Sequence, residues 1–251
     1  MPDTVQTPYD PHAYPPFAVT VDVAVFTIRS ETLRVLLIER GEEPYKGVWA
    51  LPGGFVRPDE DLDSAAAREL EEETGVTKRG AYLEQLQSYG TPERDPRMRV
   101  VTVAYWAVCA NLALPKAGGD AIGADLVPVT EVEGGYVRLA FDHNEIVRDA
   151  LERMRSKLEY TAVGAKFCPP EFTISELRRV YEAAWNMKLD PGNFHRNVRA
   201  SGSFERLDPE RLVERSKGGR PASLWALSEG LRSPRLPIAK RRRFDDDIDE
   251  P

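Results

Sequence analysis

Cysteine and long apolar runs are both scarce in this chain. Its two cysteines, Cys109 and Cys168, are too few for a disulfide framework and lack the close spacing of a zinc site. No apolar run reaches the roughly 20 residues that span a bilayer, and the N-terminus lacks the basic-then-apolar pattern of a secretion signal. We therefore expect a soluble, cytoplasmic protein that has no membrane partner.

Basic residues are outnumbered overall, but not along the whole chain. The 251 residues carry a formal net charge of −7, and their apolar content of 41% is enough for a packed core. Residues 1–164 have a net charge of −10, residues 165–244 have +8, and residues 245–251 hold five acids. The length favours two domains. The charge division predicts an acidic body followed by a basic module of the kind that binds nucleic acid.

The most informative stretch is residues 54–76, GFVRPDEDLDSAAARELEEETGV. The preceding turn at 52–54, Pro-Gly-Gly, lets the backbone bend tightly and approach a ligand. From about Asp61 the composition predicts a helix, because alanines follow a candidate N-cap, either Asp61 or Asp63. Gly75 is a C-terminal stop signal. The stretch is therefore predicted to be a loop that leads into a helix.

Three carboxylates of the predicted helix share one face. At 100° per residue, Glu69, Glu72 and Glu73 lie within an arc of about 100°. Oxygen ligands gathered in this way suit Mg²⁺ or Mn²⁺. A solvated acidic helix face is the simplest alternative, but it does not require Glu60 and Arg68 at their offsets. The pattern therefore favours a metal site.

The same residues carry a family resemblance. The pattern G-x5-E-x7-R-E-L-x-E-E-x-G-V resembles the Nudix box, with every fixed position filled. The resemblance implies an α/β/α sandwich with a mixed sheet, whose loop and helix bind a divalent metal that bridges a diphosphate and activates water. It also implies catalytic roles for Glu69, Glu72 and Glu73 as metal ligands, with Glu60 and Arg68 fixing the loop to the helix.

Patterns around the box predict the rest of this domain. Alternating or continuous β-branched residues predict strands, and apolar residues at helical spacing predict a long helix after them. A polar loop follows Tyr89, and a second loop is expected at Thr130–Gly135. The predicted strands are 19–28, 33–40, Ala81–Tyr89, Val100–Ala110 and Asp125–Val129, and the predicted helix is Asp142–Leu158.

Backbone and arginine groups near the box are candidates for binding the diphosphate. Gly53 and Gly54 allow close approach of the main chain. Arg40 ends a predicted strand, and Arg97 and Arg99 flank the polar loop, so their guanidinium groups could fork onto phosphate. An ordinary surface ion pair is the alternative for each arginine.

Spacing does not single out a general base. The resemblance implies a glutamate in a late loop, which makes Glu131 and Glu133 candidates, and Glu93 in the earlier polar loop is the rival. Trp49 is placed where it could stack on a nucleobase. A core position is favoured for that tryptophan.

The C-terminal part begins with two helix signals. A linker is expected at 159–170. Thr173 and Glu176 form a capping box before an apolar stripe at helical spacing. Asp190 is a candidate N-cap, and Pro191 follows at the first helical position.

The second of these helices is predicted to face nucleic acid. Phe194 and Val198 lie on its inner side, four residues apart, and a glycine-tipped basic turn followed by a strand comes later. Helix, short link, basic helix and basic-tipped hairpin is the order of a winged helix-turn-helix. A packing or dimerisation domain is the alternative, and RNA is a weaker partner because aromatic residues are not interleaved with the basic ones. The candidate DNA contacts are His195, Arg196, Asn197, Arg199, Lys217 and Arg220.

The two modules together resemble the Nudix-related transcriptional regulators of NAD metabolism, the NrtR family. The resemblance implies a Nudix domain that binds ADP-ribose or a related nucleoside diphosphate, a winged helix that binds double-stranded DNA operators, release of DNA on ligand binding, and a homodimer. The box positions here are intact, which favours a second hypothesis, Mg²⁺-dependent hydrolysis of ADP-ribose to AMP and ribose 5-phosphate. The matching segments are Tyr9–Phe17, Phe172–Thr173, Val180–Ala183, Asn193–Arg196 and Gly219–Ala222.

These interpretations give an α+β protein of two domains. The predicted divisions are an N-terminal arm at 1–16, the Nudix domain at 17–158, the linker at 159–170, the winged helix-turn-helix at 171–231 and a disordered charged tail at 232–251.

Overall fold

A computed structural model describes residue 10 and the ranges 15–76, 81–113, 121–208, 212–213 and 221–228. The predicted tail at 232–251 and most of the predicted arm at 1–16 lie outside the described residues. So do two candidate DNA contacts, Lys217 and Arg220.

A mixed seven-stranded sheet forms the centre of the N-terminal domain. Its longest strand is β1, which pairs in parallel with β6 and antiparallel with β2 and β4. The order across the sheet is β3-β2-β1-β6-β5, with β7 also paired to β2. The mixed sheet was predicted and is confirmed. The strands are β1 Ala18–Arg29, β2 Thr32–Arg40, β3 Trp49–Ala50, β4 Gly53–Phe55, β5 Ala81–Tyr89, β6 Val100–Cys109 and β7 Ala121–Pro128.

Helices cover both faces of this sheet. Successive side chains of β1 point to opposite faces, and both faces are apolar and buried. Val21 and Val23 face α1 (Leu62–Thr74), in a cluster that also holds two helix alanines. Phe26 faces α3 (His143–Tyr160) on the other side. The α/β/α layering is therefore confirmed.

The end of the domain differs from the sequence expectation. The strand predicted at Asp125–Val129 runs from Ala121 to Pro128, and the predicted loop at Thr130–Gly135 begins instead with α2 (Val129–Glu133). Val129 and Val132 are both buried at a spacing of three. Burial of this pair against the core overrides the strand preference of β-branched residues.

Half of the segment predicted as a linker, 159–170, is buried. Residues Ala162–Phe167 form a 3-10 turn, and Phe167 and Cys168 are buried in the same cluster as α3. The tight contact between Gly164 and the ring of Tyr181 leaves no room for a Cβ atom. This turn therefore joins the two parts of the chain through packed side chains.

The C-terminal part contains two helices and short strand pairs. The capping box predicted at Thr173 and Glu176 is present, and Asp190 caps the next helix by accepting from the backbone N–H of Asn193 at 2.7 Å. β11 pairs with β8, and β10 pairs with β9. The helices are α4 (Ile174–Trp185) and α5 (Pro191–Ala200), and the strands are β8 Phe204–Arg206, β9 Leu212–Val213, β10 Ala222–Ser223 and β11 Trp225–Leu227.

Within the part of the chain that the structure describes, no helix is long and apolar enough to cross a membrane.

Candidate functional site

A cavity of about 330 Å³ opens where the β4 turn meets the carboxylate face of α1. Glu69, Glu72 and Glu73 all line it, as do Gly53 and Gly54. The structure therefore brings the predicted metal ligands and the predicted glycine turn to a single site. The helix that carries the glutamates begins at its N-cap Asp61 and ends at Gly75 in a left-handed conformation, as the local signals predicted.

The two glycines are required for different reasons. A Cβ atom on Gly53 would overlap the backbone carbonyl oxygen of Val21 in the neighbouring strand β1. A Cβ atom on Gly54 would overlap the carboxylate of Glu69. Glycine is the residue that permits such close approach. Gly53 therefore allows β4 to join the sheet, and Gly54 allows the glutamate to reach the turn.

Arg68 holds the loop and the helix together. Its Nε and Nη2 donate to the two carboxylate oxygens of Glu60, at 3.0 and 2.6 Å. Its Nη1 donates to Glu69 at 2.6 Å and to Glu72 at 3.3 Å, and Nη2 also reaches the carbonyl oxygen of Phe55 at 3.3 Å. A bidentate guanidinium–carboxylate pair fixes orientation as well as charge. The hydrogen bonds of Arg68 to Glu60 and Phe55 therefore join the helix to the loop that precedes it.

Two glutamates at the site have opposite pKa shifts. Hydrogen bonds from Arg68 and from the backbone N–H of Arg57 lower the pKa of Glu60 to about 2. Burial raises the pKa of Glu69, against the opposing effect of Arg68, and the residue is only 7% exposed. Glu60 is therefore kept in its charged form. Burial disfavours the charged form of Glu69, so a positive partner beside it stabilises that carboxylate.

The fit of a divalent cation depends on the donor chemistry of these residues. Glu69, Glu72 and Glu73 offer oxygen donors of the kind that Mg²⁺ and Mn²⁺ prefer, and all three line the cavity. Among the described residues, no three acidic, histidine or cysteine side chains are already gathered into a metal-binding cluster. Arg68 instead neutralises Glu69 and Glu72. The three glutamates therefore suit a divalent cation by donor type, and in this arrangement Arg68 supplies the positive charge beside two of them.

Part of the cavity lining is cationic and aromatic. Arg40 and Arg97 line the cavity together with Phe55 and Phe141. The third candidate arginine, Arg99, does not join them. Its guanidinium lies 5.1 Å from the ring centroid of Phe17 and donates to a loop carbonyl. Two of the three arginines proposed for ligand binding are therefore brought into one site.

A buried polar network in the wall of the cavity was missed by sequence reasoning. Arg94 is 8% exposed and donates to both carboxylate oxygens of Asp142, at 2.8 and 2.6 Å, and to Asp22 at 3.4 Å. Arg94 and Asp22 are 72 positions apart. No spacing rule could join an arginine of the polar loop to a strand aspartate, because only the sheet register places them together.

His143 belongs to the same network. Its Nδ1 accepts a hydrogen bond from the backbone N–H of Leu51 at 2.9 Å, and its Nε2 lies 3.5 Å from a carboxylate oxygen of Asp22. Burial lowers the pKa of His143, and the nearby Asp22 and Asp142 oppose that shift only in part. An acceptor Nδ1 requires the neutral imidazole, so the hydrogen-bond pattern and the pKa direction agree.

The three candidate bases do not lie among the residues that line the cavity. Glu133 is paired with Arg155 at 2.6 Å on the side that faces α4. Glu93 and Glu131 are exposed. Trp49 is partly buried against the main hydrophobic core, which is the position that was favoured for it. The remaining carboxylates around the cavity are Asp22, Glu42 and Asp95.

The candidate nucleic-acid surface lies on α5. Phe194 and Val198 are buried beneath it, as predicted from their spacing. His195, Arg196 and Arg199 are exposed, and Asn197 is half-buried. The first three also line a shallow surface depression with Gly192 and Ala200. One helix thus presents most of the predicted contacts outward.

Comparisons with known proteins agree with this two-part architecture. A NUDIX domain model matches residues 18–151, and a model of the NrtR DNA-binding winged helix domain matches residues 164–227. The chain is 36% identical over 222 residues to the ADPR responsive transcriptional repressor NtrR of Acinetobacter baylyi, over 88% of this chain and 86% of that protein.

Solved structures show the same similarity. The crystal structure of Shewanella oneidensis NrtR complexed with a 27mer DNA matches with a TM-score of 0.72 and 33% identity, over 84% of this chain and 93% of that chain. The NUDIX domain of the same protein, complexed with ADP ribose, matches with a TM-score of 0.53 and 36% identity, over 59% of this chain and 94% of that chain. Because the two domain models match in succession and the similarity to full-length relatives spans both, the chain belongs to the NrtR family, in which a NUDIX domain precedes a winged-helix DNA-binding domain.

Proposed function

We propose that this protein is a DNA-binding transcriptional repressor whose NUDIX domain binds ADP-ribose as its effector. The observation that carries the proposal is the presence, on one chain of this family, of a complete loop–helix site and an outward-facing basic helix. We also propose that it acts in the cytoplasm, where a bacterial repressor such as its relative would meet DNA. We also propose that it acts as a homodimer and that its domains divide near residues 17–158 and 171–231.

The cavity suits a nucleoside diphosphate on grounds of charge. Gly53 and Gly54 line the cavity, so a diphosphate bound in it would lie beside main chain that carries no side chain of its own. A Mg²⁺ or Mn²⁺ ion held by Glu69, Glu72 and Glu73 would supply neutralisation of the diphosphate and activation of water there. The ADP ribose bound in the related NUDIX domain supports this choice of ligand.

DNA recognition is proposed for the exposed face of α5. Arg196 and Arg199 are solvent-exposed on a helix whose opposite side is anchored by Phe194 and Val198. A basic second helix after a short link is the element that enters the major groove in helix-turn-helix proteins. The DNA complex of the related NrtR supports the assignment.

The deciding experiment measures DNA binding with and without the effector. Fluorescence anisotropy at fixed salt with Mg²⁺ would compare fragments from upstream of the host's NAD-synthesis genes with a random fragment of equal length. We expect tighter binding to at least one upstream fragment and release by ADP-ribose. Binding no better than to the random fragment, with or without ADP-ribose, would remove the repressor function.

Substitution on α5 tests the proposed DNA surface. Arg196→Ala and Arg199→Ala should each weaken binding by about tenfold and reduce the salt dependence if they contact phosphate. Arg148→Ala is the matched control, because Arg148 is an exposed helical arginine, with a side chain 68% exposed, on α3 of the NUDIX domain. Equal effects of all three substitutions would show that α5 has no special role.

A second candidate function is hydrolysis of ADP-ribose to AMP and ribose 5-phosphate. It is favoured by the intact arrangement of Arg68 with Glu60, Glu69 and Glu72. Glu72→Gln should abolish Mg²⁺-dependent turnover, measured as AMP release. Glu71→Gln is the control, because Glu71 is exposed on the same helix and is not a lining residue of the cavity. A wild-type protein that releases no AMP from any nucleoside diphosphate sugar would exclude hydrolysis and leave the repressor proposal intact.

A further inference from the structure

Two chemically different groups of side chains line the candidate ligand cavity. One group is the carboxylates of α1. In the other, the guanidinium carbon of Arg40 lies 4.9 Å from the ring centroid of Phe141, and that of Arg97 lies 5.9 Å from the same centroid. Arg97 is also 5.6 Å from the ring of Phe55. Phe141 is therefore the ring that Arg40 and Arg97 both approach, whereas Arg94, also in the lining, pairs with Asp22 and Asp142.

The guanidinium groups of Arg40 and Arg97 are held in place by hydrogen bonds to protein groups. Arg97 donates through Nε and Nη2 to the two carboxylate oxygens of Asp95, at 3.1 and 2.8 Å. Arg40 donates through Nε to the carbonyl oxygen of Pro44 at 2.8 Å. Their planes are therefore fixed in orientation before any ligand arrives, which reduces the entropy lost on binding.

The backbone at Phe141 is unusual for an aromatic residue. Its φ is 53°, in the left-handed region that bulky side chains rarely adopt. Phe141 directly precedes Asp142 and His143, which belong to the buried network that holds this corner. A costly conformation that the surroundings maintain is a feature of ligand clamps. Here its consequence is that the ring lines the cavity.

We propose that Phe141, with Arg40 and Arg97, forms the subsite that selects the planar base of a nucleoside diphosphate. The inference rests on the proposed function and deepens it, because it assigns the base to these three side chains and the diphosphate to the side of the cavity lined by the α1 carboxylates. Nucleobases stack on aromatic rings and on guanidinium planes. A ribose, rich in hydroxyl groups, has no flat apolar face to match these surfaces.

The rival assignment places phosphate between the two arginines, since guanidinium groups also fork onto phosphate. The two assignments differ in what Phe141 does. In ours its ring contacts the base. In the rival it only supports the arginines, and a ligand without a base would depend on it equally.

The test compares two ligands that differ only in the base, AMP and ribose 5-phosphate, by calorimetric titration of the full-length protein with Mg²⁺. Asparagine tolerates the left-handed backbone, so Phe141→Asn removes the ring and keeps the chain path. We expect Phe141→Asn to weaken AMP binding about tenfold, the effect of losing one stacked base, and to change ribose 5-phosphate binding less than about twofold. Phe141→Tyr should bind AMP like the wild type.

Tyr45→Asn is the matched control. Tyr45 also has a positive φ, of 65°, and its ring contacts Phe141 edge-on, but it is not among the described residues that line the cavity. Its substitution should change AMP affinity by less than about twofold. An equal loss of AMP and ribose 5-phosphate binding in Phe141→Asn would overturn the inference, as would no loss at all. If the wild type binds neither ADP-ribose nor AMP, the proposed function fails as well.

Discussion

At the β4 turn, one glycine is needed for the sheet and the next for the candidate site. Gly53 and Gly54 are neighbours, yet the atoms that a side chain would meet at each position differ in kind. A backbone carbonyl of a central strand cannot move without disturbing the sheet. A carboxylate at the end of a flexible side chain can rotate away, but it then leaves the position at which it serves the site.

Alanine substitutions at the two glycines should therefore have different results. Gly53→Ala forces β4 away from β1 and should destabilise the fold by about 2 kcal/mol, within the range of overpacking. Gly54→Ala should cost less than about 1 kcal/mol, because Glu69 can move, but it should weaken ligand binding at least tenfold. Urea unfolding and calorimetric titration with ADP-ribose measure the two effects. Equal stability of both variants would contradict the steric distinction.

His143 makes stability depend on pH. Its folded-state pKa lies below the ordinary value of 6.5, mainly because it is buried. The unfolded chain therefore takes up a proton that the folded state resists. The contribution of His143 to stability is present above about pH 6.5 and is lost as the pH falls below that value.

Between pH 7.5 and 5.5 we expect stability to be lost through this residue, because the unfolded chain takes up the proton. His143→Asn keeps an acceptor for the backbone N–H of Leu51 but does not titrate in this range. The wild type should therefore lose more stability than the variant between these pH values in urea unfolding. The same pH dependence in both proteins would show that His143 titrates normally.

At the scale of the elements, caps determine where the C-terminal helices begin. α4 begins with a reciprocal capping box at Thr173, and α5 begins at Asp190 with Pro191 in its first turn. α5 has only ten residues, which is marginal for an isolated helix. Its direction therefore depends on the cap at one end and on Phe194 and Val198 beneath it.

Loss of the α5 cap should weaken both stability and DNA binding. Asp190→Ala removes the acceptor for the backbone N–H of Asn193 and should cost about 1 kcal/mol. Fraying of the first turn should also reduce DNA affinity by several-fold in the anisotropy assay. Asp190→Asn keeps a capping oxygen and should retain most of both properties. A loss in Asp190→Asn as large as in Asp190→Ala would mean that the charge, and not the cap, matters.

At the scale of the whole molecule, one hydrophobic core crosses the boundary between the two family domains. The cluster that holds Phe26 and Ile146 also contains Phe167, Tyr181 and Phe194. Polar contacts reinforce this boundary. Arg155 of α3 pairs with a glutamate of α2 and donates to the carbonyl oxygen of Ala184, near the end of α4, at 3.0 Å. The DNA-binding part is thus packed directly on the ligand-binding part.

A shared core predicts that the two parts unfold together. The four tryptophans report on both, since Trp49 and Trp106 lie in the sheet domain and Trp185 and Trp225 lie in the C-terminal part. With 5-fluorotryptophan incorporated, all four fluorine resonances should shift from the folded to the unfolded signal with the same urea midpoint. Two separate midpoints, one for each pair of tryptophans, would show that the parts are independent domains.

Much of the candidate site follows from local sequence. The capping of α1, the left-handed Gly75 and the shared face of Glu69, Glu72 and Glu73 all depend on residues within a few positions of one another. Helical periodicity and cap preferences operate over that distance. The same holds for the caps of α4 and α5. The errors lie where tertiary burial overrode local preference, as in α2 and in the buried turn at 162–167.

What the sequence determined by itself is therefore the family, the order of the modules and the shared helix face of the three carboxylates that line the cavity. Only the tertiary structure decided which distant groups share the cavity. Arg40 and Phe141 are about a hundred positions apart, and Arg94 reaches Asp22 across the sheet. The register of β1 with β6 and the start of α3 bring these groups together. Local rules cannot predict such contacts between distant residues, because the contacts depend on how whole elements pack together.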